Sequence, residues 1–291
     1  MEKARITADY HTHTVHSHGT GGVDDNIERA IELSLEAIAI SDHGPGHFKY
    51  NVRDMDAYVE DISRAKLKYS GKIKVLSSIE CNLCGLDGRV DMPSQPLDMH
   101  IMGFHKLARM SSLGGYWHFY VTRMFKHIGV KKTTRAYLAA IDKYDIDIIS
   151  HPGYAVECDL IQLGRACRDR GILFEINQKH KEQSPDMLRR VAETGCKFVI
   201  SSDAHRAEDV AQVNTALRKA LDDDEVAYQF AELGKVDAGG GGTIAYIMAN
   251  YGMEVIDSGV AVLCMHAPWE ITSKADVYEA YRGYKAFLKN M

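Results

Sequence analysis

Seven short apolar runs in this chain each lead, at their C-terminal end, to a side chain that can bind a proton or a metal. That placement limits the fold more than any other feature. The runs are RITADY, AIAIS, IKVLSSI, HIMGF, IDIIS, ILFEI and KFVIS. They lead in turn to His11 and His13, Asp42 and His43, Glu80, His105, His151, Asn177, and Asp203 with His205. Between most of them lie amphipathic stretches with apolar residues at helical spacing, such as DDNIERAIELSL and TTRAYLAAIDKY. Strand–helix alternation of this kind predicts parallel strands joined by helical crossovers. Seven units suit a distorted (β/α)7 barrel, although the pattern alone also permits an open sheet. Parallel strands send all their C-terminal ends to one rim, where barrel enzymes build their sites.

The chain has 291 residues, room for one large domain or two small ones. Its character changes after the acidic break LDDDEV, so a boundary is expected near residue 225. Residues 1–225 form the barrel in this reading. Residues 226–291 form a small C-terminal α/β appendage, with a glycine run at Gly239–Gly242 and a closing helix for which Ser273 is a plausible N-cap. The glycine run lacks the Lys-Ser/Thr that would make it a phosphate loop. A formal net charge of −5 argues against an electrostatic hold on nucleic acid. No apolar run reaches membrane-spanning length and the N-terminus carries no signal-peptide core, so a cytoplasmic, membrane-free protein is expected. The six scattered cysteines read as reduced thiols.

The ligand types narrow the chemistry. Imidazoles with a few carboxylates and no obligatory thiolate suit zinc, iron or manganese. In His-x-His on an extended strand the two rings share a face, so His11 and His13 can grip one ion together. So many ligands exceed the need of one ion and imply two or three metals, with Glu80 as the natural bridge. Divalent ions held by neutral imidazoles and two carboxylates leave a cationic pocket that welcomes a phosphate dianion. Such a cluster can activate a bridging water and clamp phosphoryl oxygens.

The blocks DYHTHTVHSHG, ISDHGPGH, SSIECN, MGFHK, IISHPG, FEINQ and SSDAH resemble, in order, the motifs of the polymerase-and-histidinol-phosphatase (PHP) family of metal-dependent phosphoesterases. The resemblance runs from residue 6 to about 215. It implies a trinuclear site in a distorted seven-stranded barrel. By position it places His11, His13, Glu80 and Asp203 on one ion. Glu80, His105 and His151 would hold the second, and His18, His43 and His205 the third. Glu80, Asp203 and His205 form the implied catalytic set. The implied substrate is a small phosphorylated molecule, histidinol phosphate among the options. Many relatives carry aspartate where His18 stands, and His16 competes with it for the inward position.

Plainer roles are expected elsewhere. Asp42 orients a ligand or serves a turn, His47 is a surface-loop residue, and His100 packs within its strand. His118, His127 and His180 default to solvent. Cys81 and Cys84 lack the second pair a zinc knuckle needs. Lys49, Arg53, Arg89 and Arg206 are the cationic candidates for phosphate oxygens. The aromatic, basic segment 106–135 is either a lid bearing Tyr116, Trp117 and Tyr120 or a packed insertion.

Residues 229–291 are similar to the C-terminus of the aminopeptidase I/aspartyl aminopeptidase zinc peptidases, in which the histidine corresponding to His266 binds zinc. The partner ligands of such a site lie on upstream strands that residues 1–228 do not resemble. A structural role for the tail is therefore expected, covering a barrel flank or joining copies of the chain. A zinc metallopeptidase is the competing reading.

Overall fold

The structure is a computed structural model that describes residues 6–125, 128–180, 184–211, 224–226, 258–260, 262–263 and 269–290. Two compact units divide the chain, Met1–Val213 and Asn214–Met291.

The first unit is a distorted (β/α)7 barrel. Its strands are β1 (Ala8–Asp9), β2 (Ala37–Ile40), β3 (Lys74–Asn82), β4 (Met99–Gly103), β5 (Ile148–Ile149), β6 (Leu173–Asn177) and β7 (Phe198–Ser201). They lie side by side in sequence order, every adjacent pair parallel. Between them run helices α1 (Val23–Glu32), α2 (Met55–Lys68), α3 (Leu113–Met124), α4 (Val130–Lys143), α5 (Leu160–Arg170) and α6 (Pro185–Ala192). Side chains set the helix starts: Asp54, Ser112, Asp159 and Ser184 accept hydrogen bonds from first-turn amides of α2, α3, α5 and α6. Gly171, at φ +71°, ends α5 in the left-handed conformation that suits glycine.

Strand alternation divides the sheet chemically. In β3, Ile79 and Cys81 join the apolar core, while Ser78, Glu80 and Asn82 occupy the other face. In β6, Phe174 joins the core, and Glu175 and Asn177 take the opposite face. Apolar residues therefore fill the layer that includes the helices, and the barrel lumen near the rim is polar yet buried. The strand β2 (AIAI) is buried throughout, as expected where both faces are covered.

The barrel closes at its rim. Thr12 and Ala204 form a parallel bridge between the segments that follow β1 and β7. The His13 amide donates to the Ala204 carbonyl at 2.7 Å, and the Ala204 amide donates to the His11 carbonyl at 3.3 Å. Asp9 fastens this seam from below. Its buried carboxylate accepts from the Ser202 hydroxyl at 2.5 Å, the Ser202 amide at 3.2 Å and the Ala211 amide at 2.8 Å.

The segment after β4 proves to be a packed insertion with an outward aromatic face. Phe119 of α3 is buried and stacks on Phe104 with ring centroids 4.8 Å apart. Trp117, 76% exposed, faces solvent and lines a shallow apolar recess with Leu113, Tyr116, Tyr120 and Met124. His118 departs from its expected solvent exposure: it is buried and lies 3.1 Å from the Thr133 hydroxyl.

In the second unit, β8 (Val262–Leu263) pairs antiparallel with β9 (Ile271–Thr272), followed by helix α7 (Lys274–Asn290). Ser273 caps α7, its hydroxyl accepting from the Ala275 amide at 3.1 Å. His127, Cys264, His266 and Gly239–Gly242 lie outside the described residues. No helix among the described residues is long and apolar enough to cross a membrane.

Removing the Asp9 carboxylate would strand a buried hydroxyl and three amides at the seam, those of Ser202, Ala211 and His11. Asp9→Ala is expected to lower the unfolding free energy by about 3 kcal/mol, read from the midpoint shift in urea unfolding.

Candidate metal centre

Glu80 sits at the middle of the rim and is fully buried. Its two carboxylate oxygens face different histidine sets. Oε1 lies 2.8 Å from His151 Nε2 and 3.1 Å from His105 Nε2, and it accepts from the Ser150 hydroxyl at 2.9 Å. Oε2 lies 2.9 Å from His43 Nδ1, 3.2 Å from His11 Nε2 and 3.6 Å from His13 Nε2. These residues come from the ends of five strands. Asp203 extends the cluster on one side, its Oδ1 lying 3.1 Å from His13 Nε2 and 3.8 Å from His11 Nε2.

Two histidines are turned by partners behind them. His11 Nδ1 lies 2.8 Å from Glu175 Oε1, and His105 Nδ1 lies 2.7 Å from Asn82 Oδ1. Both partners are acceptors, so each Nδ1 donates, and in the neutral ring each Nε2 lone pair points at Glu80. A lone pair aimed at a carboxylate oxygen needs a proton or a cation between them. His105 Nε2, His43 Nδ1 and Glu80 Oε2 approach one another closely but make no hydrogen bond of acceptable geometry. Buried donors of this kind fit divalent cations: imidazole nitrogen and carboxylate oxygen, no thiolate. Among the described residues, four triplets have ligand atoms within 4.8 Å of one another: His11/His13/Asp203, His43/Glu80/His105, His13/His43/His205 and His151/His180/Asp203.

The electrostatics follow from burial and crowding. Burial would raise the Glu80 pKa, but the adjacent His105 and His11 outweigh it and hold the carboxyl well below its usual range. Burial works equally on His11, where Glu80, Glu175 and Asp203 win and raise the ring well above the ordinary imidazole value. His13 and His43 go the other way, lowered first by burial and then by neighbouring histidines. Asp203 is lowered despite burial, chiefly by Lys179 and His11.

Two site residues adopt an unusual backbone conformation. Asp203 adopts φ +54° and His151 φ +27°, values that residues with side chains rarely use. The His151 amide is held by a 2.6 Å hydrogen bond to Glu175 Oε2. Glu175 thus steers a ring at one end of the site and a strained backbone at the other.

The histidines of the first loop separate. The His18 ring stacks on His43 at 4.9 Å and meets the His205 ring edge-on at 4.1 Å. His16 instead pairs with Asp61 at 3.0 Å and meets Tyr58 edge-on. Asp42 anchors this loop, accepting from the Thr14 amide at 2.8 Å, the Thr14 hydroxyl at 2.7 Å and the Ser17 hydroxyl.

Several residues depart from their sequence expectations. His47 is buried and stacks on His43 at 5.0 Å, with Nδ1 accepting from the amides of Lys49 and Tyr50. His180 lies 3.3 Å from Asp203 Oδ2 and stacks on Tyr154 at 3.7 Å. Glu175 lies outside the strand-end pattern, though a charge inside the apolar run ILFEI is itself a signal. Lys179 lies outside it as well. Its ammonium lies 3.0 Å from His205 Nδ1 and 3.8 Å from Asp203 Oδ1, next to the cluster. Of the cations expected to serve phosphate, Arg206 is held by Asp209, exposed Arg89 lies 3.8 Å from Asp87, and Lys49 lies over the Tyr50 ring. Arg53 is exposed.

Fold and rim together define a β/α barrel with a histidine- and carboxylate-lined centre, and comparisons with known proteins divide the chain into two similarities. Over the barrel, it is 27% identical across 233 residues to a probable phosphatase of Caldanaerobacter subterraneus, covering 74% of this chain and 83% of that one. A histidinol phosphate phosphatase of Lactococcus lactis, solved with zinc, L-histidinol and phosphate, is 18% identical with a TM-score of 0.48, covering 69% of this chain and 87% of that one. Toward the C-terminus, the family model for aminopeptidase I zinc metalloprotease (M18) matches residues 177–288. A probable M18 family aminopeptidase 1 of Clostridium acetobutylicum is 69% identical over 74 residues, or 25% of this chain and 16% of that one. The chain thus spans about a sixth of the length of that relative. The chain resembles PHP phosphoesterases over its barrel and M18 aminopeptidases over its tail.

Burial lowers the pKa of His47 from 6.5 to about 4. The unfolded chain therefore takes up a proton at His47 before the folded chain does. Stability from this group is present above pH 6.5 and is lost as pH falls toward 4. The thermal midpoint of metal-free protein should decline across that window, and His47→Gln should flatten the decline.

Proposed function

We propose that this chain is a metal-dependent phosphoesterase that hydrolyses small phosphomonoesters at the barrel rim. The observation that carries the reading is Glu80, a buried carboxylate with one oxygen facing His105 and His151 and the other facing His11, His13 and His43. That two-sided setting suits a carboxylate shared between ions.

In this reading three divalent ions are held, zinc, manganese or iron according to supply. His11, His13, Glu80 and Asp203 would bind one, Glu80, His105 and His151 the second, and His18, His43 and His205 the third. Bound ions would supply an activated water and a Lewis-acid clamp on the phosphoryl oxygens. The chain's own groups do the rest. Glu175 holds His11 in the tautomer that presents Nε2. Lys179 offers an ammonium beside His205 and Asp203 where a non-bridging phosphoryl oxygen can accept from it. His180 and Tyr154 stack into a flat wall against His151 and Asp203, which limits how the rest of the substrate lies.

The peptidase reading rests on the M18 match at residues 177–288, which takes in the tail and only the last part of the barrel. The chain covers 16% to 21% of the length of its M18 relatives, and a lone His266 cannot assemble a dinuclear zinc site. The tail is therefore read as structural, with residues 1–225 as the catalytic body, and as a candidate contact between copies.

The two readings separate in one experiment. His11→Ala/His13→Ala should cut phosphate release from p-nitrophenyl phosphate by on the order of 100-fold or more, and should strip bound metal. Undiminished phosphatase activity would sink the phosphoesterase reading. Aminoacyl-anilide turnover by the wild type that survives the double change would favour the peptidase. A panel of phosphomonoesters including histidinol phosphate would then place the substrate.

Lys179→Met should raise KM about tenfold while metal content and kcat stay near wild type, and Lys179→Arg should recover part of the loss.

A further inference from the structure

We infer that Asp91 is a positioning residue of this centre, acting on His105 through the side chain of Asn82. The inference rests on the metal-centre reading above and deepens it.

Asp91 lies beyond the end of β3, in the loop that leads toward β4, and touches none of the cluster histidines in the hydrogen-bond pattern. Its carboxylate instead collects three N–H donors. Oδ1 accepts from the Asn82 amide, and Oδ2 accepts from Asn82 Nδ2 at 2.7 Å and from the Gly46 amide at 2.6 Å. An ionised carboxylate only accepts, so the Asn82 side chain must turn its NH₂ toward Asp91 and its Oδ1 away. Oδ1 then meets His105 Nδ1 at 2.7 Å and accepts its proton. The imidazole is left with Nε2 as the lone pair, 3.1 Å from Glu80 Oε1. The chain of contacts is carboxylate, amide, imidazole, bridging carboxylate. It does for His105 through an amide what Glu175 does for His11 directly. Hydrogen bonds in series polarise one another, so the Asp91 charge makes Asn82 Oδ1 a better acceptor.

The same carboxylate fixes a second wall of the site. Gly44 and Gly46 flank Pro45 in the loop between His43 and His47. A Cβ at either glycine would fall 2.7 Å or 2.6 Å from Asp91 Oδ2. The loop must therefore be bare at both positions to lie against Asp91, and the Gly46 amide bond locks it there. His105 and the His43–His47 loop are thereby held in register by one side chain. Asp91 shows in sequence only as an acid in the unremarkable stretch GRVDMP, which nothing in the strand-end pattern selects.

The test uses the full-length protein and two variants. Asp91→Asn puts an NH₂ where three donors converge, so the Asn82 amide is free to flip. A swap, Asn82→Asp with Asp91→Asn, places an acceptor directly on His105 Nδ1 and a donor at position 91 to face it. Affinity for zinc is measured by competition with a chromophoric chelator. The His105 tautomer is read in metal-free, histidine-¹⁵N-labelled protein by long-range ¹⁵N–¹H correlation. We expect Asp91→Asn to weaken the tightest zinc site perturbed about 10- to 100-fold and to lose the single Nδ1–H tautomer of His105. The swap should regain the tautomer, and the affinity only in part, because the NH₂ it puts at position 91 cannot accept from the Gly46 amide. Wild-type affinity and tautomer in Asp91→Asn would overturn the inference. So would a swap whose metal-free His105 lacks the single Nδ1–H tautomer, a comparison that stands even if the single variant does not fold. A wild-type chain that binds no divalent ion would overturn the metal-centre reading itself, a result separate from either.

Discussion

A carboxylate buried among imidazoles governs the architecture of this protein. Glu80 is removed from water, where an unpartnered charge would be costly, and five histidines from four other strand ends surround it. Each of those rings must present a particular nitrogen, and the surroundings are arranged to make it do so. Glu175 turns His11, Asn82 turns His105, and Ser150 takes part of the charge on Glu80. The left-handed backbone at His151 and Asp203 belongs to the same arrangement, since conformations of that kind persist only where neighbours over-determine them.

The barrel makes this possible through two simple properties of parallel strands. All C-termini emerge at one rim, and side chains alternate between faces. In β3, period-two alternation sends Ser78, Glu80 and Asn82 to the lumen while Ile79 and Cys81 pack in the core. The short strands β1 and β7 would leave an open seam, and the Thr12–Ala204 bridge with Asp9 behind it closes that seam where His11, His13, Asp203 and His205 must meet. The seam is thus a structural joint and a wall of the site at once.

The tail has a separate history in its similarities. The M18 family model begins at residue 177, upstream of residue 229, so it takes in β7 with Asp203 and His205 as well as most of the closing helix α7. The division by compactness falls at Val213, short of the boundary near 225 suggested by the acidic run LDDDEV. Composition marks where the chain becomes polar, whereas compactness follows which residues touch.

Much of this was readable from the sequence alone. All seven strands stand where apolar runs end in chemistry-bearing residues. His11, His13, His43, Glu80, His105, His151, Asp203 and His205 meet because parallel topology leaves them no other common place, and His18 joins them. What the sequence could not order was anything set by a turn or a neighbour in space. His16 and His18 are two residues apart in an irregular loop, and only the anchoring of that loop on Asp42 and the pairing of His16 with Asp61 separated their directions. His47 and His180 looked like loop residues and were drawn inward by stacking on His43 and Tyr154. Glu175, Lys179 and Asp91 act across gaps in sequence that no periodicity spans. Local pattern determined which strands form and which end of each carries the chemistry, because alternation and polarity are properties of neighbouring residues. The tertiary structure decided which nitrogen each ring presents and which cation stands beside it, because those depend on partners brought together only when the barrel closes.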